Sequence, residues 1–157
     1  MNNIKSVLLV CTGNSCRSIM AEGLLKRYLK EHGKDHIEVS SAGVRALDDI
    51  PPTDATIAVM KREGIDASGF LSKKLTDDMK RGADLILGME NIHRDEIIRR
   101  VPEAASKTHL LKKFGSNKNK GEFQESDVPD PIGRPIEDYE YCLSMIKDQV
   151  ERIGKIL

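Results

Sequence analysis

The strongest constraint on the fold is a run of four branched apolar residues, Val7 to Val10, that stops at a loop containing Gly13. Short continuous apolar runs are typical of strands buried on both faces of a parallel sheet. Beyond the loop, apolar side chains recur at helical spacing, at Ala21, Leu24, Leu25, Tyr28 and Leu29. This spacing predicts a helix from about Ser18 to His32. The chain therefore opens with a buried strand followed directly by a helix.

The same alternation continues to the end of the chain. It predicts strands at Ile37–Ser40, Ala83–Gly88 and Thr108–Leu111, and helices capped by Asp54 and ending near Gly64, at Asn91–Arg100, and from about Ile136 onward. The polar stretch Gly115–Gly121 is expected to be a mobile loop. Alternation of this kind predicts an α/β fold, a parallel sheet with helices on both faces, in one domain spanning residues 1–157.

Charge and composition exclude several classes of function. The 25 basic residues balance the 25 acidic ones, so bulk charge favours neither nucleic acid nor an anionic membrane as a partner. No apolar run approaches the roughly 20 residues that span a bilayer, and the N-terminus does not resemble a signal peptide. We expect a cytoplasmic protein.

The cysteines, Cys11, Cys16 and Cys142, are few and odd in number, which argues against a disulfide scaffold and suggests a reducing compartment. No second Cys or His pair follows Cys11 and Cys16 at the spacing of a zinc site. We predict no metal and no cofactor.

The loop from Cys11 to Ser18 has the composition of an anion cradle. Five residues separate Cys11 from Arg17, enough for the backbone N–H groups to converge on one point while the guanidinium closes over it. The predicted phosphate-binding residues are Thr12, Gly13, Asn14, Ser15, Cys16 and Ser18. The same field is expected to lower the pKa of Cys11 and make it a nucleophilic thiolate. By itself the pattern also fits a buried cysteine, a turn and a solvated arginine; the flanking strand and helix favour the cradle.

Cleaving a phosphoester also requires an acid for the leaving oxygen. The loop before the last helix offers Glu122, Glu125, Asp127 and Asp130. Pro129 and Pro131 flank Asp130 and stiffen its backbone, which favours Asp130 among the four. The histidines, His32, His36, His93 and His109, have no evident partner and are expected to be structural or exposed.

Four segments together resemble the low-molecular-weight protein tyrosine phosphatase family: Cys11–Ser18, Ser40–Gly43, Ala83–Leu87 and Asp130–Gly133. The resemblance covers the whole chain and implies a four-stranded parallel sheet in a three-layer domain, with the flavodoxin-like strand order 2-1-3-4. It implies that Cys11 is the nucleophile, Arg17 the transition-state clamp and Asp130 the general acid and base, with phosphorylated proteins as substrates and inorganic phosphate as product. It also implies that Asn14, Ser18 and Ser41 shape the loop, and that Cys16 could form a reversible disulfide with Cys11.

Three departures from the family pattern bear on the substrate. Ile132 replaces an aromatic residue that stacks on the substrate ring in many members, and Phe70 stands about where a histidine often supports the loop asparagine. Ser15 is a small hydroxyl residue, as in the bacterial protein arginine phosphatases of the same family. Phosphotyrosine and phosphoarginine both remain candidate substrates.

Two other functions compete with phosphatase activity. The loop followed by Met20–Gly23 is similar to that of thiol-linked arsenate reductases, although their chemistry needs further cysteines and none lies between Cys16 and Cys142. A phosphate-binding module without turnover is the second alternative. Such a module has no need of Cys11, Arg17 and Asp130 together.

Overall fold

A parallel sheet forms the centre of the molecule in a computed structural model that describes residues 3–116 and 126–157. Its strands are β1 (Ser6–Cys11), β2 (Glu38–Gly43), β3 (Leu85–Gly88) and β4 (Thr108–Leu110). They are all parallel and lie in the order β2-β1-β3-β4. The predicted α/β class and strand order are confirmed.

Helices cover both faces of the sheet because the side chains of β1 alternate between two apolar clusters. The helices are α1 (Arg17–Glu31), α2 (Asp54–Arg62), α3 (Asp77–Gly82), α4 (Asn91–Arg100) and α5 (Ile136–Ile156), with a 3-10 turn at Pro102–Lys107. Val7, Leu9 and Cys11 pack in the cluster that holds α1, α2 and α5. Leu8 and Val10 point to the opposite cluster, with α4 and the 3-10 turn. Within the described ranges, no helix has the length and apolarity needed to cross a membrane.

The end of β1 is the point where the strand order reverses. Cys11, the last residue of β1, pairs with Gly43 at the end of β2, while Val10 pairs with Gly88 of β3 on the other side. In open α/β sheets the crevice at such a switch point is where ligands bind. The connection from Cys11 to α1 therefore occupies the expected ligand-binding position.

Several element boundaries differ from the sequence predictions. Strand β2 continues through Gly43 instead of ending at Ser40; a Cβ on Gly43 would lie 2.6 Å from the Thr12 carbonyl oxygen, so this close approach requires glycine. Thr53, not Asp54, caps α2, since its side chain accepts from the Thr56 N–H. Helix α3 and the 3-10 turn were not predicted. The predicted loop at Gly115–Gly121 lies largely outside the described residues.

Candidate active site

The loop between β1 and α1 curls around the Cys11 sulfur. The Asn14 N–H donates to Sγ at 3.2 Å, and the Ser18 hydroxyl lies 2.8 Å from the same atom. Asn14 adopts a left-handed backbone conformation, with φ of 51°, which turns the loop back toward the strand. The sulfur is thus surrounded by loop donors, and only 2% of the residue is exposed.

Asn14 holds the loop through contacts with three other elements of structure. Its Oδ1 accepts from the Lys73 N–H at 2.9 Å, and its Nδ2 donates to the hydroxyls of Ser18 at 2.7 Å and Ser41 at 2.9 Å. Ser41 in turn donates to the Glu22 carboxylate at 2.6 Å. The structure therefore brings Asn14, Ser18 and Ser41 together, and it adds Lys73 and Glu22, which no sequence pattern had identified.

Arg17 is buried and joins the loop to two distant segments. Its Nη1 donates to Glu90 Oε2 at 2.6 Å and to the Val128 carbonyl at 2.7 Å. Its Nη2 lies 3.5 Å from both Thr12 Oγ1 and Asp130 Oδ2. Such fixed contacts hold the guanidinium plane in place, which is the property that an oxyanion clamp requires.

Two of the four predicted acids, Asp127 and Asp130, lie in the described part of the chain. Of these two, Asp130 is the one that contacts Arg17. Its Oδ1 accepts the Ile132 N–H at 3.1 Å, and its side chain keeps 38% of its surface exposed. Asp127 instead accepts the Asn91 N–H at 2.8 Å at the start of α4. Glu90, Asp127 and Asp130 line one open cavity of about 490 Å³. Glu122 and Glu125 lie outside the described residues.

The thiol pKa departs from the sequence prediction. Burial raises the pKa of Cys11 above its ordinary value, while the Ser18 hydroxyl, the Arg17 charge and the backbone N–H groups of Ser18 and Asn14 act to lower it. The predicted net lowering is wrong because the sulfur is sealed from water and the Arg17 charge is shared with two carboxylates, Glu90 and Asp130. The groups that favour a thiolate are present, but burial outweighs them.

His93 contacts the loop, although the sequence showed no partner for it and predicted only that it, like the other histidines, is structural or exposed. Its Nδ1 accepts the Glu90 N–H at 3.1 Å, which leaves the proton of the neutral ring on Nε2, 2.8 Å from Thr12 Oγ1. Burial and the nearby Arg17 charge lower the pKa of His93 to about 4, against the opposing carboxylates of Glu90, Asp127 and Asp130. The spacing of Glu90 and His93 across the start of α4 is that of a capping pair and could have revealed this contact.

The pKa of His93 predicts acid destabilisation. Above about pH 6.5 the ring is neutral in both states; as the pH falls toward 4 the unfolded chain takes up a proton that the folded protein excludes. Stability should therefore decline across this window, by up to about 3 kcal/mol. His93→Gln should flatten the pH dependence of the free energy of unfolding measured in urea, whereas His36→Gln on the surface should not. Equal pH slopes in wild type and His93→Gln would contradict the assignment.

The remaining predicted residues lie around the loop. The Cys16 thiol is buried between the hydroxyls of Ser15 at 3.6 Å, Thr53 at 3.7 Å and Tyr139 at 3.9 Å, and all three cysteines are free. Ile132 follows Asp130 and leaves 55% of its surface exposed. No group of three or more His, Cys, Asp or Glu side chains in the described part of the chain is arranged to hold a metal ion.

The positions of Phe70 and Cys142 show whether Phe70 supports the loop and whether Cys142 lies in the core. Phe70 packs against the main core cluster, and Lys26 Nζ lies 5.7 Å from its ring centre, so Phe70 provides no polar support to the loop. Cys142 is buried on α5 in the same cluster, as predicted, and burial raises its pKa to about 12.

Comparison with known proteins connects this geometry to a family. The low molecular weight phosphotyrosine protein phosphatase family matches residues 6–157. The chain is 36% identical over 148 residues to a probable low molecular weight protein-tyrosine-phosphatase, EpsP, of Ralstonia nicotianae, covering 94% of this chain and 92% of that protein. It is 35% identical over 151 residues to a protein-arginine-phosphatase of Geobacillus stearothermophilus, covering 96% and 95%.

A solved structure extends the similarity to the fold. The YwlE arginine phosphatase, as a mutant with a phosphorylated active-site serine, matches with a TM-score of 0.87 at 28% identity. The match covers 97% of this chain and 95% of that one. The sheet order and the helices of the present chain thus agree with those of a phosphatase that was trapped carrying a covalent phosphoryl group.

Proposed function

The chain belongs to the low molecular weight phosphotyrosine protein phosphatase family and is a phosphoric monoester hydrolase, and we propose that it cleaves protein phosphotyrosine with Cys11 as nucleophile. One observation supports this assignment above all. The Cys11 sulfur, the Arg17 guanidinium and the Asp130 carboxyl converge at the end of β1, although Asp130 is more than one hundred residues away in sequence. Thiol, clamp and acid are the three parts that a phosphocysteine mechanism needs.

In the first step the thiol of Cys11 loses its proton to solvent, and the thiolate, which Ser18, the Arg17 charge and the loop N–H groups stabilise against burial, attacks phosphorus. The S–P bond forms as the bond from phosphorus to the tyrosine oxygen breaks, and protonated Asp130 gives its proton to that oxygen. The loop N–H groups and Arg17 offset the charge on the three other phosphoryl oxygens. Glu90 and the Val128 carbonyl keep the guanidinium oriented throughout.

In the second step water releases the phosphoryl group. Asp130, now a carboxylate, takes a proton from water as the water oxygen attacks phosphorus, and the P–S bond breaks to return the thiolate and free phosphate. Ser18 and the Asn14 N–H stabilise the departing sulfur. The phosphorylated active-site serine in the arginine phosphatase mutant supports a covalent phosphoenzyme in this family.

Phosphoarginine is the second candidate substrate, and Ser15 is the observation that favours it. Ser15 places a small, half-buried hydroxyl in the loop, and the Geobacillus relative is a protein-arginine-phosphatase. We place phosphotyrosine first because Ile132 gives an exposed apolar surface beside Asp130, against which an aromatic ring can pack.

Ile132→Tyr tests the substrate assignment. With matched peptides, wild type should show the higher kcat/KM on phosphotyrosine, and the variant should raise that value roughly 2- to 10-fold through aromatic stacking while leaving phosphoarginine nearly unchanged. Ile156→Tyr, at the opposite end of α5, is the control and should change neither rate. A higher wild-type kcat/KM on phosphoarginine would reverse the assignment.

The structure weighs against arsenate reduction. That chemistry requires further reactive thiols, whereas Cys142 lies in the core, where burial raises its pKa to about 12 and disfavours the reactive thiolate. We expect no arsenate turnover in the presence of thioredoxin. Robust arsenate reduction would overturn the view that the chain acts only as a phosphatase.

A further inference from the structure

A chain of hydrogen bonds connects the Cys11 sulfur to a lysine on the protein surface. Moving outward from the sulfur, it passes through Ser18, Asn14, Ser41, Glu22 and Lys26, with successive distances of 2.8, 2.7, 2.9, 2.6 and 2.6 Å. Every link is a side chain, and the members before Lys26 are buried. A change of charge at the outer end is thus transmitted through a region of low dielectric.

The direction of each hydrogen bond in this chain is fixed. The Lys73 N–H donates to Asn14 Oδ1, so the other end of the side-chain amide, Nδ2, must donate its hydrogen bonds to the hydroxyls of Ser18 and Ser41. Ser18 therefore has its own proton available for the sulfur. The Ser41 hydroxyl donates a hydrogen bond to the Glu22 carboxylate. The chain of hydrogen bonds thus begins at the Cys11 sulfur, which can accept a hydrogen bond from Ser18, and ends at the buried negative charge of Glu22.

Lys26 compensates that negative charge. Among the described residues, Lys26 is the cation within ion-pair distance of Glu22, at 2.6 Å, one helical turn along α1. The lysine side chain is 53% exposed, while Glu22 is buried. Without this partner, Glu22 would present a lone buried negative charge that opposes a thiolate at the other end of the chain.

We propose that Lys26 is a positioning residue for the Cys11 thiolate: its ammonium neutralises Glu22, so that the buried chain ends in an ion pair. This inference deepens the proposed function and rests on Cys11 being the nucleophile. Lys26 touches neither the sulfur nor the substrate; it acts through Glu22, Ser41, Asn14 and Ser18. Other charged or titratable groups of the site act on Cys11 directly or through a neighbour. Arg17 and Cys142 interact electrostatically with Cys11, Glu90, Asp130 and His93 interact with Arg17, and Cys16 interacts with Cys142; the Lys26 and Glu22 variants leave all of them unchanged.

The test is the rate at which iodoacetamide alkylates Cys11 in the full-length protein, because only the thiolate reacts. At pH 6, Lys26→Met should slow alkylation roughly 3- to 10-fold. This is the scale expected when the charge of Glu22 is left uncompensated several side chains away from the sulfur. It should lower kcat on an aryl phosphate with little change in KM. Lys26→Arg should keep the wild-type rate, as should Lys30→Met, which removes an exposed lysine one turn further along α1.

A double variant separates charge from structure. Glu22→Gln together with Lys26→Met retains an acceptor for Ser41 and removes both charges, so alkylation should return toward the wild-type rate. A double variant as slow as Lys26→Met, or a single variant with an unchanged rate, would overturn the proposal. These outcomes are separable from failure of the proposed function, which would appear as turnover that persists in Cys11→Ser whatever the alkylation rates.

Discussion

Replacing Cys11 with serine is expected to lower turnover of an aryl phosphate by at least about 10,000-fold while affinity for inorganic phosphate changes little. Loss of a nucleophile removes the covalent route, and effects of this size are typical of such variants. The loop N–H groups and Arg17 stay in place, so the anion site persists. Steady-state kinetics and calorimetric titration with phosphate measure the two effects.

Cys142→Ser is the matched control for this prediction. It changes another buried cysteine, on α5 and outside the loop, and turnover should remain within a few-fold of wild type. Substantial turnover in Cys11→Ser, comparable to that of Cys142→Ser, would exclude Cys11 as the nucleophile.

Replacing Asp130 with alanine is expected to slow hydrolysis by about 100- to 10,000-fold, the usual range for a positioned general acid. The effect should depend on the leaving group. Phenyl phosphate, whose leaving oxygen needs a proton, should lose more rate than p-nitrophenyl phosphate, whose leaving oxygen needs one much less. Asp130→Asn, which keeps the size of the side chain, should show the same dependence.

The leaving-group comparison distinguishes an acid from a structural residue. Asp130 also lies 3.5 Å from Arg17, so its removal could disturb the clamp. A disturbed clamp would slow both substrates equally. Equal losses, or an unchanged rate, would therefore refute the assignment of Asp130 as general acid.

The fold and the loop could be predicted from the sequence because their signals are local. Val7 to Val10 and the helix spacing after Arg17 each occupy one short window, and Cys11 to Ser18 lies between them. The sequence could also single out Asp130 as a candidate acid, because two prolines flank it. The extension of β2 to Gly43 was missed because Ser41, Ala42 and Gly43 are small residues without the branched apolar side chains typical of a strand. Their pairing with Leu9 to Cys11 depends on tertiary context.

The contacts that orient the site could not be predicted because they join distant segments. Arg17 meets Glu90 and the Val128 carbonyl, 73 and 111 residues away, and Asn14 meets Lys73, 59 residues away. The predicted lowering of the Cys11 pKa was wrong for a related reason. The motif shows the groups that favour a thiolate, but burial of the sulfur and the sharing of the Arg17 charge with Glu90 arise only once the chain is folded.

The residue that carries the covalent phosphoryl group during turnover is the decisive test of the role of Cys11. Wild-type protein turning over a phosphotyrosine peptide should be quenched rapidly, digested and analysed by mass spectrometry. Cys11 and Cys16 share the tryptic peptide from Ser6 to Arg17, so fragment ions must separate them. We expect a phosphoryl group on Cys11 and none on Cys16. A phosphoryl group on Cys16, or continued turnover with no phosphoenzyme at any time point, would contradict it.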